Sequence, residues 1–200
     1  MTQLKKLRNN VPIHESSLSL YRDGPKGRPY FFMFKIKGCE KMSKVLSMDQ
    51  STRVSGYCLF EDGEYVCSGV VDMSKSKLDT PERSFEMAKS LWKIIKKYKP
   101  EYLILEETSQ QSNAQVLIIL SRLQGMIIGY AEAHGVKVHI LLPSQWRKEL
   151  GFSQGKNVKR AELKKQSIDY VKNHYGFEKS EDESEAIAIN DAARTKLWLD

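Results

Sequence analysis

Asp49, Glu106, Asp182 and Glu185 are the side chains whose types and spacing best suit chemistry. Asp49 closes the apolar run Val45 to Met48 and Glu106 closes Tyr102 to Leu105, so each acid is expected at the end of a buried strand. If those strands are neighbours, both acids lie at the sheet edge where α/β proteins bind ligands. Asp182 and Glu185 are three residues apart and share one helix face. They precede Ala186-Ile187-Ala188-Ile189, which can press that helix onto the sheet. Four acids at one place repel unless cations neutralise them, and an oxygen-only set suits Mg2+ or Mn2+. Two such ions, roughly 3.5–4 Å apart, can activate water and stabilise the leaving oxygen in phosphodiester hydrolysis. Each acid alone also has an ordinary reading: Asp182 as a helix-terminal cap, and Asp49 or Glu106 as a surface-marking strand end.

The elements that must position these acids follow from patterning. Residues 45–49, 54–61 and 64–72 read as an antiparallel meander, with Asp62-Gly63 as a two-residue hairpin turn. That turn pairs Phe60 with Tyr65 and sets Cys58 opposite Cys67. Thr80 is the expected N-cap of a helix with Pro81 at its first position; Phe85, Ala88, Leu91, Trp92 and Ile95 share one face, and Pro100 ends it. A strand over 102–106, a long apolar helix over 113–134 and a strand over 136–142 come next. They are followed by a short helix over 144–150, a basic amphipathic helix over 158–175 and a terminal helix over 182–197. This order predicts an α/β fold with a mixed central sheet flanked by helices. Strand alternation puts Glu107 on the opposite side from Glu106, so Glu106 is the preferred ligand. Gly56 is expected to serve the backbone at the bend between strands.

Composition narrows the partners. With 200 residues, 40% hydrophobic and 28% charged, the chain suits one soluble domain plus an appendage, here a basic extension over 1–43 ahead of a domain over 44–200. No apolar run approaches the roughly 20 residues that span a bilayer, and Met1 to Asn10 lacks an apolar signal core. A cytoplasmic protein is expected. Three cysteines without a CxxC spacing indicate neither a disulfide framework nor a zinc site, and no GxxxxGK[ST] loop points to a nucleotide cofactor. The net charge of +7 is uneven: residues 1–44 carry +7 and residues 143–172 carry +5. Such basic flanks favour a polyanionic partner, with a solvated helix face as the plainer alternative. The candidate DNA contacts are Arg53, Gln110, Gln111, Asn113, Arg147, Lys148, Lys156, Lys159 and Arg160. Trp146 reads either as a packing anchor or as a base-stacking platform.

The segments Asp49-Gln50-Ser51-Thr52-Arg53-Val54-Ser55-Gly56-Tyr57, Leu103-Ile104-Leu105-Glu106, Pro143-Ser144-Gln145-Trp146-Arg147-Lys148 and Asp182-Glu183-Ser184-Glu185-Ala186-Ile187-Ala188-Ile189 resemble, in order, the motifs of RuvC-type Holliday junction resolvases, particularly the phage and prophage branch. The resemblance implies an RNase H-like fold, a homodimer, and Mg2+-dependent nicking of four-way DNA junctions. Mn2+ is the natural substitute. Carried over by motif, Asp49, Glu106, Asp182 and Glu185 would be the metal-binding catalytic acids. Two departures stand out. Glu185 occupies a position where the family usually carries aspartate, and Glu107 to Asn113 lacks the aromatic that some resolvases wedge into the junction. Two alternatives therefore stay open: an RNase H-like nuclease acting on flaps, forks or hybrids, and a non-catalytic nucleic-acid binder.

Overall fold

The computed structural model describes residues 43–108, 113–155 and 157–197. The basic extension, apart from Ser43, lies outside the described residues, as do Gln110, Gln111 and Lys156. Three strands, β1 (Lys44–Asp49), β2 (Val54–Glu61) and β3 (Glu64–Asp72), form the antiparallel meander. β4 (Tyr102–Glu106) and β5 (Lys137–Leu141) then add in parallel on the other side of β1, giving the order β3-β2-β1-β4-β5. The helices are α1 (Thr80–Tyr98), α2 (Ala114–Ala133), α3 (Pro143–Glu149), α4 (Arg160–Tyr175) and α5 (Glu181–Leu197). The meander exists because Asp62 and Gly63 both take positive φ, 53° and 82°, the primed turn whose twist matches paired strands. The N-cap of α1 is Asp79 rather than Thr80. The Asp79 carboxylate accepts from the Glu82 amide at 2.8 Å in a capping box, which places Thr80 first and Pro81 second.

Alternation along the two central strands sorts the core into two faces. Leu46, Met48, Leu103 and Leu105 pack with Met87, Ala88, Leu91 and Ile95 of α1 and with Leu123, Ile127 and Ala131 of α2. Val45, Ile104 and Leu141 point the other way, onto Trp146, Ala188, Ile189, Ala192 and Ala193. Asp49 and Glu106 share the parity of Val45 and Ile104, so both acids lie on the face that α5 covers.

Three expectations need correction. A register shift between Leu59 and Phe60 keeps the Phe60–Tyr65 pair but sets Cys58 against Ser68 and Cys67 against Leu59. Cys58 packs with Phe60, Ala186 and Ile187 while Cys67 lies against the α1/α2 core, so the extra residue of the bulge sends the thiols to opposite faces. Phe85 is 54% exposed, and Met87 takes its place in the core. Finally, α2 is long and apolar enough to cross a membrane, with a mean hydropathy of 1.4 over its best 18 residues, of which 22% are buried. Its Leu123, Gln124, Ile127 and Ala131 form a core stripe against α1 and the sheet.

α5 is held to the central strands by polar contacts at its buried face. Ser47 Oγ donates to the Ala186 carbonyl at 2.7 Å, and Asn190 Nδ2 donates to the Val45 carbonyl and to Ser47 Oγ, both at 3.1 Å. At its first turn α5 comes so near β2 that a Cβ added to Gly56, the cross-strand partner of Asp49, would stand 1.9 Å from the Asp182 carbonyl oxygen. Glycine is required there for close approach rather than for a bend. Gly56→Ala is expected to force the first turn of α5 away and to lower stability by about 1–3 kcal/mol. In Gly129→Ala, where the added Cβ meets no atom within 4 Å, helix propensity alone should raise stability by about 0.5–1 kcal/mol. Urea unfolding of both variants checks the contrast, and a neutral Gly56→Ala would contradict it.

Candidate active site

The strand ends and the start of α5 bring four carboxylates to one side of the sheet. β1 ends at Asp49 and β4 at Glu106, one step beyond the last recorded pairs of the parallel ladder, Ser47 with Ile104 and Met48 with Leu105. Asp182 and Glu185 enter from the first turns of α5, and Glu185 is 9% exposed. Asp49 feels the negative charge of Glu185, Glu106 and Asp182, so these acids form one electrostatic unit.

Burial and mutual repulsion set the protonation of the group. The Asp49 carboxyl is held well above the usual carboxylate range, first by burial and then by the charges of Glu185, Glu106 and Asp182. Interaction between the two carboxyls adds to the rise of Asp49 and opposes that of Glu185. Glu185 is nevertheless raised, by burial and by Glu106, against the pull of Lys164 and Arg147. Burial raises Glu106 as well, opposed by Arg147, the Trp146 hydrogen bond and Arg160. Asp182 is raised by burial and held back by Lys164.

Arg147 lies at the centre of this balance. Its guanidinium Nη2 stands 3.7 Å from Glu106 Oε2 and 3.8 Å from Glu185 Oε1, its side chain is 16% exposed, and its Nε is buried with no hydrogen-bond partner. Arg147, expected from the sequence as a DNA contact, faces Glu106 and Glu185 in the structure. Lys164 of α4 pairs with Glu181 beside the same acids. Among the described residues no three acid, imidazole or thiol side chains converge closely enough to hold an ion as they stand. The acids are gathered but not closed on one point, and positive charge near them comes from Arg147 and Lys164.

The other sequence-predicted residues divide. Arg53, Lys148, Lys159 and Arg160 are exposed. Asn113 is the N-cap of α2, its side chain accepting from the Gln115 amide at 2.8 Å. Glu107 turns to its neighbour, accepting from the Thr108 amide at 2.9 Å, and takes no part in the acid cluster. Glu183 accepts from Ser68 Oγ and Ser180 Oγ and pairs with Lys179, tying α5 to β3. Three further residues hold Glu106 through contacts that the sequence pattern did not show. Gln50 and Gln124 donate their amides to the Glu106 carbonyl, and the buried Trp146 donates its indole N–H to Glu106 Oε2 at 2.6 Å. For Trp146 the position after Pro143, at the start of a short helix, was the available signal; for the glutamines there was none.

This arrangement defines an RNase H-like α/β protein with an acid cluster at the ends of its two central parallel strands. The chain belongs to the family described as Lactococcus phage M3 protein, which matches residues 42–197. It is similar to two proteins named crossover junction endodeoxyribonuclease RuvC. With that of Fusobacterium nucleatum it is 29% identical over 153 residues, 73% of this chain and 77% of that protein. With that of Methylococcus capsulatus it is 28% identical over 99 residues, 49% of this chain and 60% of the relative's length. Among solved structures, Thermus thermophilus RuvC in complex with a Holliday junction substrate shares the fold with a TM-score of 0.63 at 15% identity, over 78% of this chain and 96% of that one. Fowlpox virus resolvase with Holliday junction DNA gives 0.53 at 17% identity, over 77% and 98%.

The raised Asp49 carboxyl has a consequence for stability. A free aspartate titrates near pH 4, so between there and its raised native value the folded protein holds a proton that the unfolded chain releases. This group's contribution therefore favours the native state at low pH and is lost as pH rises through that window. Asp49→Asn, which keeps the shape without the charge, is expected to raise Tm at pH 7.5 in EDTA, by roughly 2–4 °C for each kcal/mol of relieved repulsion, and to flatten the decline with pH. Thermal melts from pH 5 to pH 8 check this; a lower Tm at pH 7.5 would contradict it.

Proposed function

We propose that this protein is a structure-selective DNA endonuclease that resolves four-way junctions by divalent-cation-assisted phosphodiester hydrolysis, acting as a homodimer in the cytoplasm of a bacterial or phage-infected cell. The observation that carries the reading is the gathering of Asp49, Glu106, Asp182 and Glu185 on one side of the sheet in a chain similar to RuvC. The donor chemistry fits a hard cation: four carboxylates, no sulfur or imidazole among them, with Asp49 raised well above the usual carboxylate range by burial and by the charges of Glu185, Glu106 and Asp182. Asp49, Glu106, Asp182 and Glu185 would hold Mg2+, with Mn2+ as substitute and two ions per site. When bound, such ions activate water and stabilise the charge of the leaving oxygen.

The chain's own residues have definable tasks in this reading. Asp49 would have to be ionised to hold a cation, and Arg147 must yield its place near Glu106 and Glu185. Released from the acids, Arg147 is free to meet a phosphate. The exposed Lys148, Lys159 and Arg160, with Arg53, supply phosphate contacts that position the duplex arms. Lys159 caps α4 without a side-chain hydrogen bond, which leaves amides of the first turn of α4 for a phosphate. Gln110, Gln111, Asn113 and Lys156 complete the proposed contact set.

The test is a cleavage panel. Wild type is expected to nick a mobile four-way junction in Mg2+ and to spare a linear duplex. Asp49→Asn should bind the junction with unchanged affinity while losing several kcal/mol of transition-state stabilisation, about 10^3-fold or more in rate. Retained nicking by Asp49→Asn would reject the site, and preferential cleavage of a flap or an RNA–DNA hybrid would reject the substrate.

A four-way junction has twofold symmetry, so paired nicks call for a twofold dimer. α2 supports one: much of its apolar surface is left outside the core, with Val116 and Ile118 each 41% exposed. Ile118→Glu is expected to convert a dimer to a monomer in multi-angle light scattering while changing monomer stability by no more than about 0.5 kcal/mol. A wild type that is monomeric at micromolar concentration, with and without junction DNA, would contradict this.

A further inference from the structure

Glu106 is pinned at both ends. Its main-chain carbonyl accepts from Gln50 Nε2 and from Gln124 Nε2, the latter at 2.9 Å, and Gln124 in turn accepts from Thr108 Oγ1 at 2.9 Å. Its carboxylate Oε2 accepts the indole N–H of Trp146 at 2.6 Å. Trp146 is 1% exposed and packs in the core with Val45, Ile104 and Ala188, edge-on to Phe152 at a ring separation of 5.7 Å. Its ring therefore cannot leave without opening that core. A buried indole N–H without an acceptor costs about 1–3 kcal/mol, so the hydrogen bond fixes the carboxylate against the ring. The Arg147 guanidinium lies 4.7 Å from the same indole, which links the cation facing the acids to the group that orients one of them.

We infer that Trp146 is a positioning residue: by holding Oε2 of Glu106 through its indole N–H, it presets that carboxylate for a divalent cation and so sets the cation affinity of the site. The inference rests on the cation site proposed above and goes beyond it by assigning a role to a residue outside the acid set. The indole takes one lone pair of Oε2 and fixes the rotamer, leaving the remaining lone pairs of the carboxylate for a cation. A donor fixed by core packing restricts the carboxylate without the entropy loss of a mobile partner.

Trp146→Phe deletes the donor while keeping an aromatic ring in the core; the smaller ring also leaves a cavity, so its Tm is read beside its cation affinity. The variant is expected to bind Mn2+ 10- to 100-fold more weakly by isothermal titration calorimetry, consistent with the usual effect of removing a group that orients a metal ligand. Its junction-cleavage rate at saturating Mn2+ should return to within about threefold of wild type. A residue that served packing alone would lower Tm and leave the Mn2+ affinity untouched. An independent readout in wild type is the 15N-indole resonance of Trp146, assigned with Trp92→Phe and Trp198→Phe. It should move on Mg2+ addition with the calorimetric midpoint, while that of Trp92 stays in place. Unchanged Mn2+ affinity in a folded Trp146→Phe, or an indole resonance indifferent to Mg2+, would overturn the inference. If wild type binds Mn2+, Asp49→Asn loses it and Trp146→Phe matches wild type, the role of Trp146 alone fails. If wild type takes up no Mn2+, the cation site fails and this inference with it.

Discussion

The close seating of α5 on the central hairpin is the constraint on which the rest depends. Asp49 and Glu106 are carried by the sheet, but Asp182 and Glu185 arrive only because Gly56 has no side chain, because Ser47 reaches the Ala186 carbonyl, and because Asn190 reaches back to β1. Two unit charges about 4 Å apart repel by roughly 4 kcal/mol at an effective dielectric near 20, whereas each net hydrogen bond contributes about 1 kcal/mol. The anchoring bonds alone therefore do not hold four ionised acids together. The apolar surface of Ala186, Ile187, Ala188 and Ile189, all fully buried, supplies the remainder. The guanidinium of Arg147, 3.7 Å from Glu106 and 3.8 Å from Glu185, relieves part of the repulsion at its source.

This balance explains why polar residues are spent in the interior. Ser47 and Asn190 are both fully buried, and each hydrogen-bonds across the contact between α5 and β1. Their value is directional: an apolar contact tolerates a slip of α5 along the sheet, whereas the bonds to Ala186 and Val45 do not. On the other side of Glu106 the same logic recurs with Gln50, Gln124 and Trp146. The acids thus sit on rigid elements with separately fixed partners; Lys148 of α3, Lys159 at the N-cap of α4 and Arg160 of α4 are exposed, whereas Arg147 faces the acids.

Much of the fold could be read from the chain because its signals are local. The Asp62-Gly63 turn, the apolar runs ending in acid, Pro81 and Pro100 each act within a few residues, and the strands and helices fall within two residues of their expected limits. The four acids could be singled out from two strand ends, a three-residue helical spacing and the resemblance to RuvC motifs, on the condition that the two strands are neighbours, as β1 and β4 are. What could not be read is contact between distant elements. The bulge after Leu59 is set by packing on both faces of the hairpin and moved Cys67 away from Cys58. Phe85 fits the apolar stripe of α1, yet it is 54% exposed and Met87 fills the core instead. Arg147 looked like a surface cation because no sequence pattern says which way a short helix turns. Trp146 was legible as an anchor, but its hydrogen bond to Glu106, 40 residues away, was not.

The central claim is that the four carboxylates form one cation site, and the most direct measurement is anomalous diffraction from crystals of the full chain grown with Mn2+. The account predicts anomalous density bounded by the carboxylates of Asp49 and Glu106 and by at least one of Asp182 and Glu185, with the Arg147 guanidinium displaced from between them. Acids that keep their present spacing around Arg147, with Mn2+ absent or bound elsewhere on the surface, would contradict it.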